Sequence, residues 1–148
     1  MKQTTIPKRS EVAPGDKWNL DSLFSNDESW NATLADFSKM SANVNAFREA
    51  IIATSEPGAS PLSPAVLADC LDALRDAELL AERLGNYAFL MKSADESDAA
   101  NLDRVGRYMM AASAFEAETS WLVPAIQALP ENLVREWAGC ASADGKAP

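Results

Sequence analysis

The carboxylates of Asp69, Asp72, Asp76, Glu78 and Glu82 are crowded enough to suggest metal ligation on a helical bundle. The di-iron form of that chemistry takes a Glu-x-x-His pair from each of two helices, and the sequence contains no histidine. These acids therefore read as one solvated face. A calcium loop over Asp95 to Asp103 would need glycine at its sixth position and glutamate at its twelfth. Both are missing, and helix capping is the better account. Glu116, Glu118 and Glu131 could be paired as general acid and base, but that work needs a pKa tuned by surroundings, and surface charge is the simpler reading. Ser113 and Ser120 lack a base, and the six glycines form no phosphate-cradling loop. Cys70 and Cys140 match neither a C-x-x-C redox pair nor a thiolate metal site, which makes them reduced structural residues. No catalytic, cofactor-binding or metal-binding residue is assigned.

The absence of histidine also removes the usual general base near neutral pH and the commonest zinc ligand, so neither a histidine triad nor an HExxH zinc site can form within these residues. A net charge of −9 repels phosphate backbones and anionic lipid surfaces. Neither nucleic acid nor membrane is expected as a partner. The charged run at Lys8 and Arg9 has no apolar stretch behind it, so the N-terminus is neither a signal peptide nor an anchor, and a cytoplasmic location is expected. With 148 residues, 47% of them hydrophobic, the chain can bury one sizeable core.

The elements that would carry these residues are helices. Residues 1–27 form a proline-punctuated arm with apolar anchors at Trp18, Leu20, Leu23 and Phe24, expected to dock on the helices. Ser25 and Glu28 have capping-box spacing, which predicts a helix start near Asp27. Trp30, Leu34, Phe37, Ser41, Val44, Phe47 and Ile51 recur at steps of four and three. One helix is expected to carry them to about Thr54. Pro57, Gly58, Pro61 and Pro64 then mark a loop, with Ser63 as cap of a second helix. In that helix Val66, Cys70, Ala73, Ala77, Leu80, Leu84, Tyr87 and Met91 hold strict spacing, and Leu67, Leu71, Leu74, Ala81 and Ala88 widen the stripe. So wide a face should meet more than one neighbour.

A third helix follows the acidic turn Asp95 to Asp98, with Leu102, Val105, Met109 and Ala112 as its stripe, joined by Tyr108, Phe115 and Leu122, until Pro124 ends or kinks it. Short helices led by Pro124 and Pro130 come next, Gly139 is a helix stop, and 140–148 is a frayed tail. The expected fold is all-α: an antiparallel bundle of three long helices, two short C-terminal helices and an extended N-terminal arm.

Trp18, Trp30, Trp121 and Trp137 read as core anchors rather than ligand-stacking platforms. The first two belong to a more specific pattern: Arg9-Ser10-Glu11-Val12, then Trp18-Asn19-Leu20-Asp21-Ser22-Leu23-Phe24, then Trp30. This resembles the start of the oligoendopeptidase F group of peptidase family M3, the thimet oligopeptidase-like zinc metallopeptidases. The resemblance continues through Leu84-Gly85-Asn86-Tyr87-Ala88-Phe89-Leu90, the turn Asp95 to Asp98, and the Phe115 to Pro130 segment with Glu131-Asn132-Leu133 after it. It spans Arg9 to about Trp137.

The resemblance implies a mainly helical peptidase in which a deep channel admits short peptides and excludes folded proteins. It implies zinc held by two histidines of an HExxH helix and a further glutamate. None of those residues can be carried over, because that half of the family lies C-terminal to the region matched here. The expectation is that 28–139 is the helical N-terminal lobe of such an enzyme, with the HExxH domain absent, no cofactor of its own and no peptidase activity by itself. Its partners would be the missing catalytic domain and, in the whole enzyme, short peptides. The alternative is a stand-alone helical module that self-associates or holds a partner through exposed apolar helix faces.

Overall fold

A computed structural model describes Pro7, residues 11–54 and residues 62–143, with side chains as far as Trp137. After a 3-10 turn at Pro14–Asp16, the described residues form seven α-helices and no strand. These are α1 (Asp27–Phe37), α2 (Ser41–Asn45), α3 (Arg48–Ala53), α4 (Pro64–Ala94), α5 (Ala99–Thr119), α6 (Leu122–Gln127) and α7 (Glu131–Ala143). The fold is all-α. Among the described residues, no helix is long and apolar enough to cross a membrane.

The chain divides into two compact units, Met1–Ser38 with Glu78–Ala114, and Lys39–Ala77 with Phe115–Pro148. The long helices α4 and α5 each contribute residues to both. In the first unit the buried apolar residues are Leu20, Phe24, Trp30, Leu34, Phe37, Leu84, Tyr87 and Ala88. In the second, Val44, Ile51, Leu62, Cys70, Ala77, Phe115, Leu122, Ala125, Leu129 and Leu133 are buried, and α3 packs on α6.

The first helix starts where its spacing predicts, but with a different cap. Asn26, in extended backbone at φ −165°, accepts from the Ser29 amide at 2.8 Å, and the Ser29 hydroxyl donates back to the Asn26 carbonyl at 2.8 Å. Asn26 immediately precedes the first helical residue and caps as well as serine does, which leaves the Ser25–Glu28 capping box unused.

The expected single helix to Thr54 is three helices. Ser38 donates its hydroxyl to the Leu34 carbonyl at 2.9 Å, a side-chain bond that competes with the helical ladder. Tighter i to i+3 bonds follow, from Ala42 to Lys39, Asn43 to Met40 and Phe47 to Val44. The predicted stripe nevertheless points inward, with Trp30, Leu34, Phe37, Ser41, Val44 and Ile51 all buried.

Helix α4 follows its prediction from Pro64 to the end of its strict stripe. Of the widening residues Ala88 is buried, Leu67, Leu74 and Ala81 are half-buried and Leu71 is exposed; Leu79, Phe89 and Leu90, which belong to neither stripe, are exposed as well. Helix α5 follows the predicted facing only in part. Phe115 is buried and Val105, Tyr108 and Ala112 are half-buried as expected, but Leu102 and Met109 are exposed and Asn101, Arg104 and Thr119 are buried instead. The buried stripe there is partly polar, and apolar periodicity cannot detect a polar one.

Helix α5 also stops at Thr119, before Pro124, which lies inside the first turn of α6 where its missing amide is not needed. Helix α7 begins directly after Pro130 and runs through Gly139, so glycine is not its stop; one helical glycine costs only about 1 kcal/mol. Residues 140–143 of the expected tail are helical; 144–148 and most of the predicted 54–64 loop lie outside the described residues.

Candidate functional site

The most elaborate polar arrangement lies in the first unit, where the N-terminal arm, α1, α4 and α5 supply one side chain or more each. Arg104 is 5% exposed, yet it carries a charge that burial would penalise by several kcal/mol if left unpaired. Its guanidinium donates to Asp27 Oδ1 at 2.7 Å and to Asn101 Oδ1 at 2.7 Å. Asn101 is itself held by an Nδ2 bond to the Asp95 carbonyl at 3.1 Å.

Aromatic faces complete the cluster. The Arg104 guanidinium lies 5.9 Å from the Trp30 ring centre and 5.7 Å from that of Tyr87, and Arg107 lies 5.2 Å from Trp30. Trp30, fully buried, donates its indole N–H to the Leu84 carbonyl at 3.1 Å. The arm is fixed to the same cluster: Phe24 meets Tyr87 edge to face at 5.4 Å, and Arg83 covers Phe24 at 4.6 Å while donating to the Leu23 carbonyl. Burial, then the Asp27 carboxylate, push the Tyr87 hydroxyl above its ordinary value of 10.0, against the opposing pull of Arg104; Asp21 and a hydrogen bond to Asp27 add to the rise. The arrangement neutralises and orders charge. It pairs no nucleophile with a base.

The acids singled out by sequence are dispersed. Asp72 and Asp76 flank Arg75 at 2.8 Å and 3.5 Å on an exposed stretch of α4, and Asp69, Glu78 and Glu82 are exposed. Asp95 accepts from the Ser97 amide and hydroxyl, and Asp98 accepts from the Ala100 amide at 2.9 Å, so the acidic turn caps α5. In the second unit Glu118 accepts from the buried Ser41 hydroxyl, and Glu131 pairs with Arg135 at 2.7 Å. Glu116 and Ser113 are exposed, and Ser120 donates to the Ala117 carbonyl.

Cys70 is fully buried with its sulfur 4.0 Å from the Val44 carbonyl, and burial pushes its thiol above the ordinary 9.0. A structural thiol has this environment; a nucleophile would need a lowered value. The Cys140 side chain lies outside the described residues.

The tryptophans divide. Trp30 is a core anchor, Trp121 is half-buried and donates to Asn45 Oδ1 at 2.6 Å, and Trp137 is half-buried. Trp18 is not an anchor, at 80% exposed. It borders two open hollows in the first unit, of about 460 Å³ beside Lys17, Asp21, Tyr87 and Met91, and about 200 Å³ beside Leu90 and Ser93. The second unit has a shallow hollow of about 510 Å³ at Arg48, Glu49, Ile52 and Ala53. None of the three is lined by a base beside a nucleophile.

The described residues do not fit a zinc ion. The chain has no imidazole, and among the described residues no three Cys, Asp or Glu side chains converge on one point. What sequence reasoning missed is the Arg104 cluster, whose members lie far apart along the chain and carry no spacing signal of their own.

No protein-family model matches the chain, and no solved structure matches it. Among curated proteins, the chain is similar to Oligopeptidase PepF of Bacillus subtilis (strain 168), at 27% identity over 147 aligned residues. The match takes in 92% of this chain but only 19% of that protein, so the chain spans about a fifth of the length of the relative it matches.

Proposed function

We propose that these residues are the N-terminal helical lobe of an oligoendopeptidase F-like zinc metallopeptidase, whose complete polypeptide hydrolyses short peptides. The supporting observation is the similarity to Oligopeptidase PepF, which runs across nearly all of this chain. It agrees with the tryptophan-bearing arm: Leu20 and Phe24 of that pattern are buried, and its Trp30 is the largest fully buried side chain of the described residues.

In this reading the lobe contributes structure. Zinc and the water-activating glutamate belong to a catalytic domain with which this lobe shares one polypeptide, and the lobe helps to wall the channel that selects substrates by size. The 148 residues alone neither bind zinc nor cleave peptides. The test is elemental analysis and a fluorogenic peptide assay on the purified chain after dialysis. Stoichiometric zinc, or cleavage that survives further purification, would contradict the proposal.

A further inference from the structure

Helix α5 presents an unusual outer face. Asn101 and Arg104 are buried and Tyr108, Ala111 and Ala112 half-buried, while Leu102, Gly106, Met109, Met110 and Ser113 look outward. Met110 is 75% exposed, Met109 49% and Leu102 48%. The outward face of a surface helix is normally charged or polar, and a helix apolar on all sides is a buried one. No charged residue occurs between Arg107 and Glu116. The nearby charges, Asp103 and Arg107, pair with each other at 3.7 Å along one edge. A Cβ added at Gly106 would meet nothing within 4 Å, so a partner backbone could approach there closely.

We infer that this face of α5 is a docking surface, covered in the native gene product by polypeptide corresponding to the part of Oligopeptidase PepF outside the matched stretch. The inference rests on the lobe reading above. Two observations favour that occupant. The matched stretch is only 19% of the relative, which leaves about four-fifths of such a polypeptide tethered to the lobe and available at high effective concentration. A second copy of this chain is disfavoured, because each copy carries a net charge of −9 and the pair would repel. A contiguous neutral face also offers nothing to a phosphate backbone.

The test uses methionine oxidation, which follows exposure. The native gene product is captured through an epitope near Met1, weighed intact, and pulsed with dilute hydrogen peroxide with and without urea. Sulfoxide formation at Met109 and Met110 is then followed by peptide mass spectrometry. The expected result is a product heavier than 15.9 kDa in which both methionines oxidise more than about fivefold slower in the native than in the unfolded state. A heavier product in which Met110 falls short of that protection overturns the inference and leaves the lobe reading standing. A product of 15.9 kDa overturns the lobe reading and the inference with it, whatever the methionines do.

Discussion

Arg104 of α5 and Asp27 of α1 meet at 2.7 Å although 77 residues separate them in sequence, and their exposures differ sharply: 6% for the arginine side chain, 56% for the aspartate. The asymmetry predicts unequal costs. Arg104→Ala removes a buried guanidinium with its stacking on Trp30 and Tyr87 and strands Asn101, a loss of about 3 kcal/mol. Asp27→Asn keeps a hydrogen-bond acceptor but leaves the buried guanidinium without its carboxylate; water reaching the half-exposed Asp27 position offsets part of that, for a smaller loss of about 1–2 kcal/mol. Urea denaturation of both variants checks the order, and equal losses would contradict it.

Two glycines predict opposite outcomes. At Gly85 an added Cβ would lie 2.7 Å from Tyr108 Cζ and Oη, and that ring is already engaged edge to face with Phe89 at 6.0 Å. Gly85→Ala is expected to destabilise by about 1–3 kcal/mol. Gly106→Ala meets no obstruction and gains helix propensity, up to about 1 kcal/mol in the 148-residue chain. Thermal unfolding of the pair reads the sign directly; a neutral Gly85→Ala would show that Tyr108 moves aside freely.

Tyr87 predicts an alkaline limit. Its folded pKa is raised, so the folded chain holds the phenolic proton more tightly than the unfolded chain does. The resulting stability is complete below the unfolded value, about 10, and is lost as pH rises through the folded one. Tyr87→Phe should flatten the fall in unfolding free energy above about pH 10. Identical slopes in the two proteins would rule this contribution out.

Cys70 acts in the same direction from about pH 9, and its burial makes a second prediction. Iodoacetamide should leave Cys70 unlabelled in the native chain at neutral pH and label it fully in urea, as followed by peptide mass spectrometry. Rapid native labelling would mean that the helices around it open readily.

Four helix starts are legible in the sequence because each has a local cause: a polar cap before Asp27, proline at the first position of α4, acids before α5, Pro130 before α7. The apolar stripe from Trp30 to Ile51 is legible too, since burial enforces its spacing. The breaks after Phe37 and Asn45 are not, because one serine hydroxyl and a few i to i+3 bonds decide them at little energetic cost. The facing of the first turns of α5 is misread because its inner side there is built on Asn101 and Arg104. Their burial is stabilised by Asp27, Asp95, Trp30 and Tyr87, and no periodicity of apolar residues can announce partners of that kind. Trp18 is misread for the converse reason: tryptophan type suggests burial, and its exposure depends on what the arm does after Asp16.

The measurement that bears most directly on the lobe reading is the intact mass of the native gene product, captured near Met1 from its source cells and followed by peptide sequencing. The account predicts a polypeptide several times heavier than 15.9 kDa that yields an HExxH-containing peptide on digestion. A product of 15.9 kDa, or a longer one without an HExxH segment, would contradict it.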